Sequence, residues 1–175
     1  TVFLDRVVNL MDEGLDIAIR IGELADSSMS AIRVGSVRRV ITGSRNYFKK
    51  NGVPRHPNDL LSHKLIHSVA LGASPEWTFD ENGQTFNVQI DQRLRMNTND
   101  AILELIEADW GVSRLLSYQV SSQLARGDFQ TVLEEYETPP MPVHIVHQEG
   151  RMVSSKVRSF VDFMVERLRG NPALS

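Results

Sequence analysis

Short apolar strands that alternate with helix-length segments constrain this chain more than any other property of its sequence. In "RMNTNDAILELIEADWGVSRLL", four polar residues, Asn97, Thr98, Asn99 and Asp100, follow a strand. Ile102, Leu105 and Ile106 then form the stripe of an amphipathic helix, Gly111 supplies its stop, and "VSRLL" is a new strand. The N-terminus repeats the order. "TVF" is a short strand, Leu4, Val7, Val8 and Met11 repeat at helical spacing, and "LDIAIRIG" alternates with Leu15, Ile17, Ile19 and Ile21 on one face. Asp5 could cap that helix and Gly14 end it. Strand, helix, strand is the βαβ unit of a parallel sheet, so the expected fold class is α/β.

Between these segments, "AIRVGSVRRVITG" reads as one long strand or two joined ones, and Ser44 caps the helix "RNYFKKN", which Gly52 closes. "VPRHPNDLLSH" is a turn with a helical turn at Asn58–Ser62, and "KLIHSV" is a short strand. Asn82-Gly83, between alternating runs, predicts a type I′ hairpin, with Trp77 and Phe79 sharing one face and Phe86, Val88 and Ile90 another. "SYQVSSQLARG" is a helix and "FQTVLEEY" a strand. Pro139–Pro142 reads as a connection between lobes rather than part of a sheet, and "VHIVH" as a strand. Ser154 or Ser155 opens a long helix with Val157, Phe160, Val161, Met164, Val165 and Leu168 inward, stopped at Gly170.

The 41% hydrophobic and 23% charged fractions are those of a globular protein. No apolar run approaches the roughly 20 residues of a membrane span, and no signal peptide opens the chain. Cysteine is absent, which fits a reducing compartment such as the cytoplasm. With a net charge of −3 and a pI near 5.9, the chain lacks the basic balance of a free-standing nucleic-acid binder. Arg33, Arg38, Arg39, Lys49 and Lys50 read as solvated charges. His63 and His67 are spaced like a zinc pair but sit where a turn enters a strand, and His144 and His147 point to opposite faces, so no metal site is expected. Nucleophile elbows, phosphate loops and dinucleotide fingerprints are missing, so neither catalysis nor a cofactor is expected.

What remains is the polar residues at helix starts: Ser44, Asn97–Asp100 and Ser117. In an open α/β sheet such starts gather outside the carboxyl ends of strands, where free N–H groups and the helix dipole favour an anion by ~0.3–1 kcal/mol. One side chain suffices to cap a helix, so the other polar residues of Asn97–Asp100 are available to face a ligand.

Longer phrases extend this reading. "DEGLDIAIRIGELADSSM", "YFKKNGVPRHPNDLLSH", "NDAILELIEADWGVSRLL", "LARGDFQTVLEEY", "PPMPVHIVHQ" and "SSKVRSFVDFMVERL" resemble, in order and over essentially the whole chain, the regulatory domain of LysR-type transcriptional regulators. The resemblance implies a two-lobed, periplasmic-binding-protein-like (type 2) α/β fold. One lobe would take residues 1–38 and 141–175, the other 39–140, with two crossing strands as a hinge and a small-molecule effector in the cleft. It places Ser44, Asn97, Thr98 and Asn99 on the second lobe's side, Asp5 and Gly22 on the first lobe's, and Trp77 and Leu116 in an apolar wall. It implies a homodimer or homotetramer and DNA contact through an N-terminal winged helix-turn-helix, while the helix starts and their polar side chains suit a small organic anion as effector. That domain and the regulatory domain's first strand and helix are missing from this sequence, so the chain is expected to begin inside a fold. Arg45 and Leu116 stand where the family often has Pro. The alternatives are a transport-type solute-binding protein of the same fold and a small α/β enzyme.

Overall fold

The computed structural model describes residues 10, 14–24, 29–69, 74, 76–91, 94–148 and 154–174. Its strands are β1 (Ile17–Ile21), β2 (Met29–Val37), β3 (Arg39–Ser44), β4 (Leu65–Ser68), β5 (Glu76–Glu81), β6 (Gln84–Gln89), β7 (Leu94–Met96), β8 (Val112–Leu116), β9 (Phe129–Val132) and β10 (Met141–Gln148). The helices are α1 (Arg45–Asn51), α2 (Asn99–Glu107), α3 (Ser121–Arg126) and α4 (Ser155–Arg169). The chain divides into two compact units and passes between them at Val37–Arg38 and at Pro139–Pro140.

The unit from Arg38 to Pro139 is built on a five-stranded sheet in the order β7-β4-β8-β3-β9. β4 runs parallel to β7 and β8, whereas β3 is antiparallel to β8 and β9. Alternation along the strands supplies two cores, one per face. Val40, Ile66, Leu115 and Phe129 meet Ile102 and Ile106 of α2. Ile41, Leu65 and Val112 meet Tyr47 and Phe48 of α1 together with Trp77, Phe79 and Val88 of the hairpin. Asn82 (φ 55) and Gly83 (φ 84) both lie in the left-handed region that the type I′ turn requires. The register sets Trp77 opposite Val88 and Phe79 opposite Phe86, so the two aromatic sets share a single face instead of two.

Several boundaries move. α2 ends at Ala108, with Asp109 left-handed (φ 57), and not at Gly111. Gly111 is demanded by close approach, since a Cβ there would lie 2.4 Å from the Lys64 carbonyl oxygen. The strand expected from Phe129 to Tyr136 stops at Val132, where Leu133 turns left-handed (φ 60). "SYQVSSQLARG" splits into a 3-10 turn at Ser117–Gln119 and α3.

In the other unit, β1-β10-β2 form a sheet with every pairing antiparallel. The "TVF" strand and most of the helix after it lie outside the described residues. Leu10 is buried, and Leu15 N–H donates to its carbonyl at 2.9 Å, with Gly14 left-handed (φ 62) between them. Met141 and Pro142, expected in the connection, instead begin β10. Proline is tolerated there because it opens the strand, just before a bulge at Val143/His144. α4 starts at Ser154, whose hydroxyl accepts from Val157 N–H. Val161 is its fully buried residue, while Phe160, expected inward, is 51% exposed.

Candidate functional site

Because β4, β7 and β8 run parallel, Ser68, Met96 and Leu116 finish at one edge of the five-stranded sheet. Val69 N–H reaches the Met96 carbonyl at 2.8 Å and extends that pairing. β3 begins at the same edge. Ser117 N–H donates to the Arg38 carbonyl at 2.9 Å, and Arg38 N–H returns a bond to Ser117 Oγ at 3.1 Å. Ser68, Asn97, Thr98, Asn99 and Ser117 are thereby collected at the carboxyl ends of the parallel strands, the usual ligand edge of an open α/β sheet.

The start of α2 is left open. Thr98 holds the extended N-cap conformation (φ −128, ψ 139), yet its side chain makes no cap bond. α1 and α4 are capped, Ser44 Oγ accepting from Tyr47 N–H at 2.9 Å and Ser154 capping α4, whereas α3, like α2, has no side-chain cap. The first-turn amides of α2 therefore meet no capping side chain, while buried Ile102 and Ile106 anchor the helix behind them. Ser68 donates to Asn99 Oδ1 at 3.4 Å, which leaves the Asn99 amide group as a donor. Asn97, Thr98 and Asp100 are exposed and Asn99 is half-buried. Such an arrangement presents backbone and amide N–H donors at the sheet edge.

The other predicted residues lie elsewhere. Ser44 sits at the far end of antiparallel β3, opposite Phe129, and is not brought to Asn97–Asn99. Its hydroxyl donates to Asp109 Oδ1 at 2.5 Å. That bond, helped by Lys50 Nζ 3.3 Å from the other carboxylate oxygen, holds Asp109 below the usual carboxylate range. Trp77, 2% exposed, is core under the Arg114 guanidinium and no open wall. Leu116 is half-buried at the site's edge and donates its N–H to Gln119 Oε1. Gly22 (φ 108) belongs to the other unit, where its N–H donates to the Pro142 carbonyl at 2.9 Å. Asp5 lies outside the described residues.

Ser68 escapes the sequence reading. Nothing local distinguishes it, and the parallel pairing of β4 with β7 is what brings it to Asn99. Among the described residues, no three His, Cys, Asp or Glu side chains come together to hold a metal ion, and no helix is long and apolar enough to cross a membrane.

Residues 2–169 match the model of a family described as the LysR substrate binding domain. The HTH-type transcriptional activator AaeR of Escherichia coli K12 is 30% identical over 165 residues, which cover 90% of this chain and 52% of AaeR. The chain spans about half the length of the curated relatives it matches. Among solved structures, the regulatory domain of CrgA from Neisseria meningitidis, a LysR-type transcriptional regulator, superposes with a TM-score of 0.78 at 26% identity. It covers 92% of this chain and 79% of its own. The regulatory domain of AphB from Vibrio vulnificus shares the fold at 22% identity, with a TM-score of 0.77 over 88% of this chain and 76% of its own.

Proposed function

We propose a function that starts from one premise: this chain belongs to the LysR substrate-binding domain family, whose members here are transcriptional regulators and not enzymes. Its role is that of a regulatory, effector-binding domain, and the transport-type reading is not favoured. Its two units are taken as the two lobes of that domain.

The effector of this reading is a small organic anion held at the edge where β4, β7 and β8 end. One observation carries it: the N-terminus of α2 lacks a side-chain cap although Thr98 stands in the capping position. Unsatisfied first-turn amides attract negative charge, and Asn97, Asn99 and Ser68 add neutral donors suited to a carboxylate. A ligand shifts a regulator's equilibrium only by its differential affinity for two states, typically ~1–3 kcal/mol of coupling. DNA is contacted by a separate helix-turn-helix domain of the whole protein, which works in the cytoplasm as a homodimer or homotetramer. A thermal-shift screen with small organic acids tests the reading. Acids that raise the melting temperature of the wild-type chain should lose much of that effect in Asn99→Ala. A screen in which no acid stabilises the chain, or in which Asn99→Ala responds like wild type, would count against it.

A further inference from the structure

We propose that the hairpin-covered face of the five-stranded sheet carries a second anion site, where the guanidinium groups of Arg39 and Arg114 hold an oxyanion borne on a small molecule. It is separate from the start of α2, because α2 packs on the opposite face of the sheet.

The register pairs Arg39 with Leu116 and Ile41 with Arg114, so the two arginines are diagonal neighbours on one face of β3 and β8. Both line a shallow recess, open to solvent, with Ile41, Phe79 and Leu133 supplying apolar wall. Arg114 is held in place: its guanidinium lies 5.1 Å from the Trp77 ring centroid, and Nη1 donates to the Thr78 carbonyl at 3.3 Å.

Counter-charge is what the recess lacks. Among the described residues, neither guanidinium has a carboxylate within ion-pair distance. Glu137, the carboxylate that lines the recess, gives both oxygens to Arg38 Nη1, at 3.0 and 3.2 Å. Burial holds Arg39 below the usual arginine range, and burial with the charge of Arg39 brings Arg114 down to about 10. Both stay charged at neutral pH, so two like charges share a partly desolvated space, and an anion between them relieves the repulsion. Guanidinium groups are suited to the task because their planar forks pair with carboxylate and phosphate oxygens two at a time. The recess encloses little space, so the occupant is a compact oxyanion such as inorganic phosphate or a short carboxylate.

The chain has two tryptophans, so Trp110→Phe leaves Trp77 as a reporter beneath Arg114. That variant is titrated with sodium phosphate and, separately, sodium butyrate, each at constant ionic strength. A saturable change in Trp77 emission is expected, with apparent affinity at least tenfold weaker after Arg39→Gln and unchanged after Asn99→Ala. Saturation by phosphate alone identifies an inorganic oxyanion, by butyrate alone an organic acid, and by both a general oxyanion site. The melting temperature of the chain with Trp110 intact, with and without Arg39→Gln, gives the same comparison without the reporter variant. Changes that track ionic strength without saturating, or a saturable response that survives Arg39→Gln, overturn the proposal.

Discussion

Ser44 and Asn99 show how one residue's surroundings decide between structure and function. Ser44 is buried, caps α1 and donates to Asp109, so its hydroxyl is committed to holding the α1 and α2 ends together. Ser44→Ala should cost about 0.5–2 kcal/mol, the usual loss for an N-cap, and leave small-acid affinity unchanged. Urea unfolding alongside a binding titration checks both halves of that expectation. Asp109 adds a pH dependence. Its folded-state pKa is lowered, chiefly by the Ser44 hydroxyl, so its stabilising contribution is present above the ordinary carboxylate value and lost as pH falls through the folded value. Asp109→Asn should therefore destabilise the chain at pH 7, with the deficit shrinking under acid. Unfolding curves at neutral and acid pH measure it.

At the level of elements, the start of α2 is where capping and ligand binding make opposite demands. An aspartate at position 98 would both cap the helix and place a negative charge against its dipole. Thr98→Asp is expected to raise the unliganded chain's stability by about 1 kcal/mol and to weaken binding of a small acid about tenfold, equal to ~1.4 kcal/mol. Calorimetric titration of the variant beside the wild type decides it. A gain in stability with no loss of affinity would mean that α2 is merely an uncapped helix. Element types were legible wherever chemistry was local: Asn82-Gly83 announced its turn, and Ser44 and Ser154 their helices. Boundaries fixed by distant contacts were not. α2 stops at its C-cap Ala108, before Gly111, and the glycine serves instead to admit a carbonyl from the lead-in to β4.

Across the whole molecule, alternating segments established the α/β class, but the direction of each strand waited on pairing. β3 is antiparallel to β8, which sends Ser44 to the end of the sheet away from Asn97–Asn99. The polar run itself was readable, whereas its companion Ser68 was not. Phe160 and Phe163, one turn apart on α4, are 51% and 55% exposed, apolar surface that a homo-oligomer of this reading would cover. Replacing both with Ser should shift sedimentation toward monomer while leaving acid binding intact. The central claim, an anion resting on the open start of α2, is tested most directly by following all backbone amides in a ¹H–¹⁵N titration with the best-stabilising acid. The amides of Asn99, Asp100 and Ala101 should show the largest saturable shifts, and these should disappear in Thr98→Asp. Saturation elsewhere in the chain, with those three amides unmoved, would contradict the account.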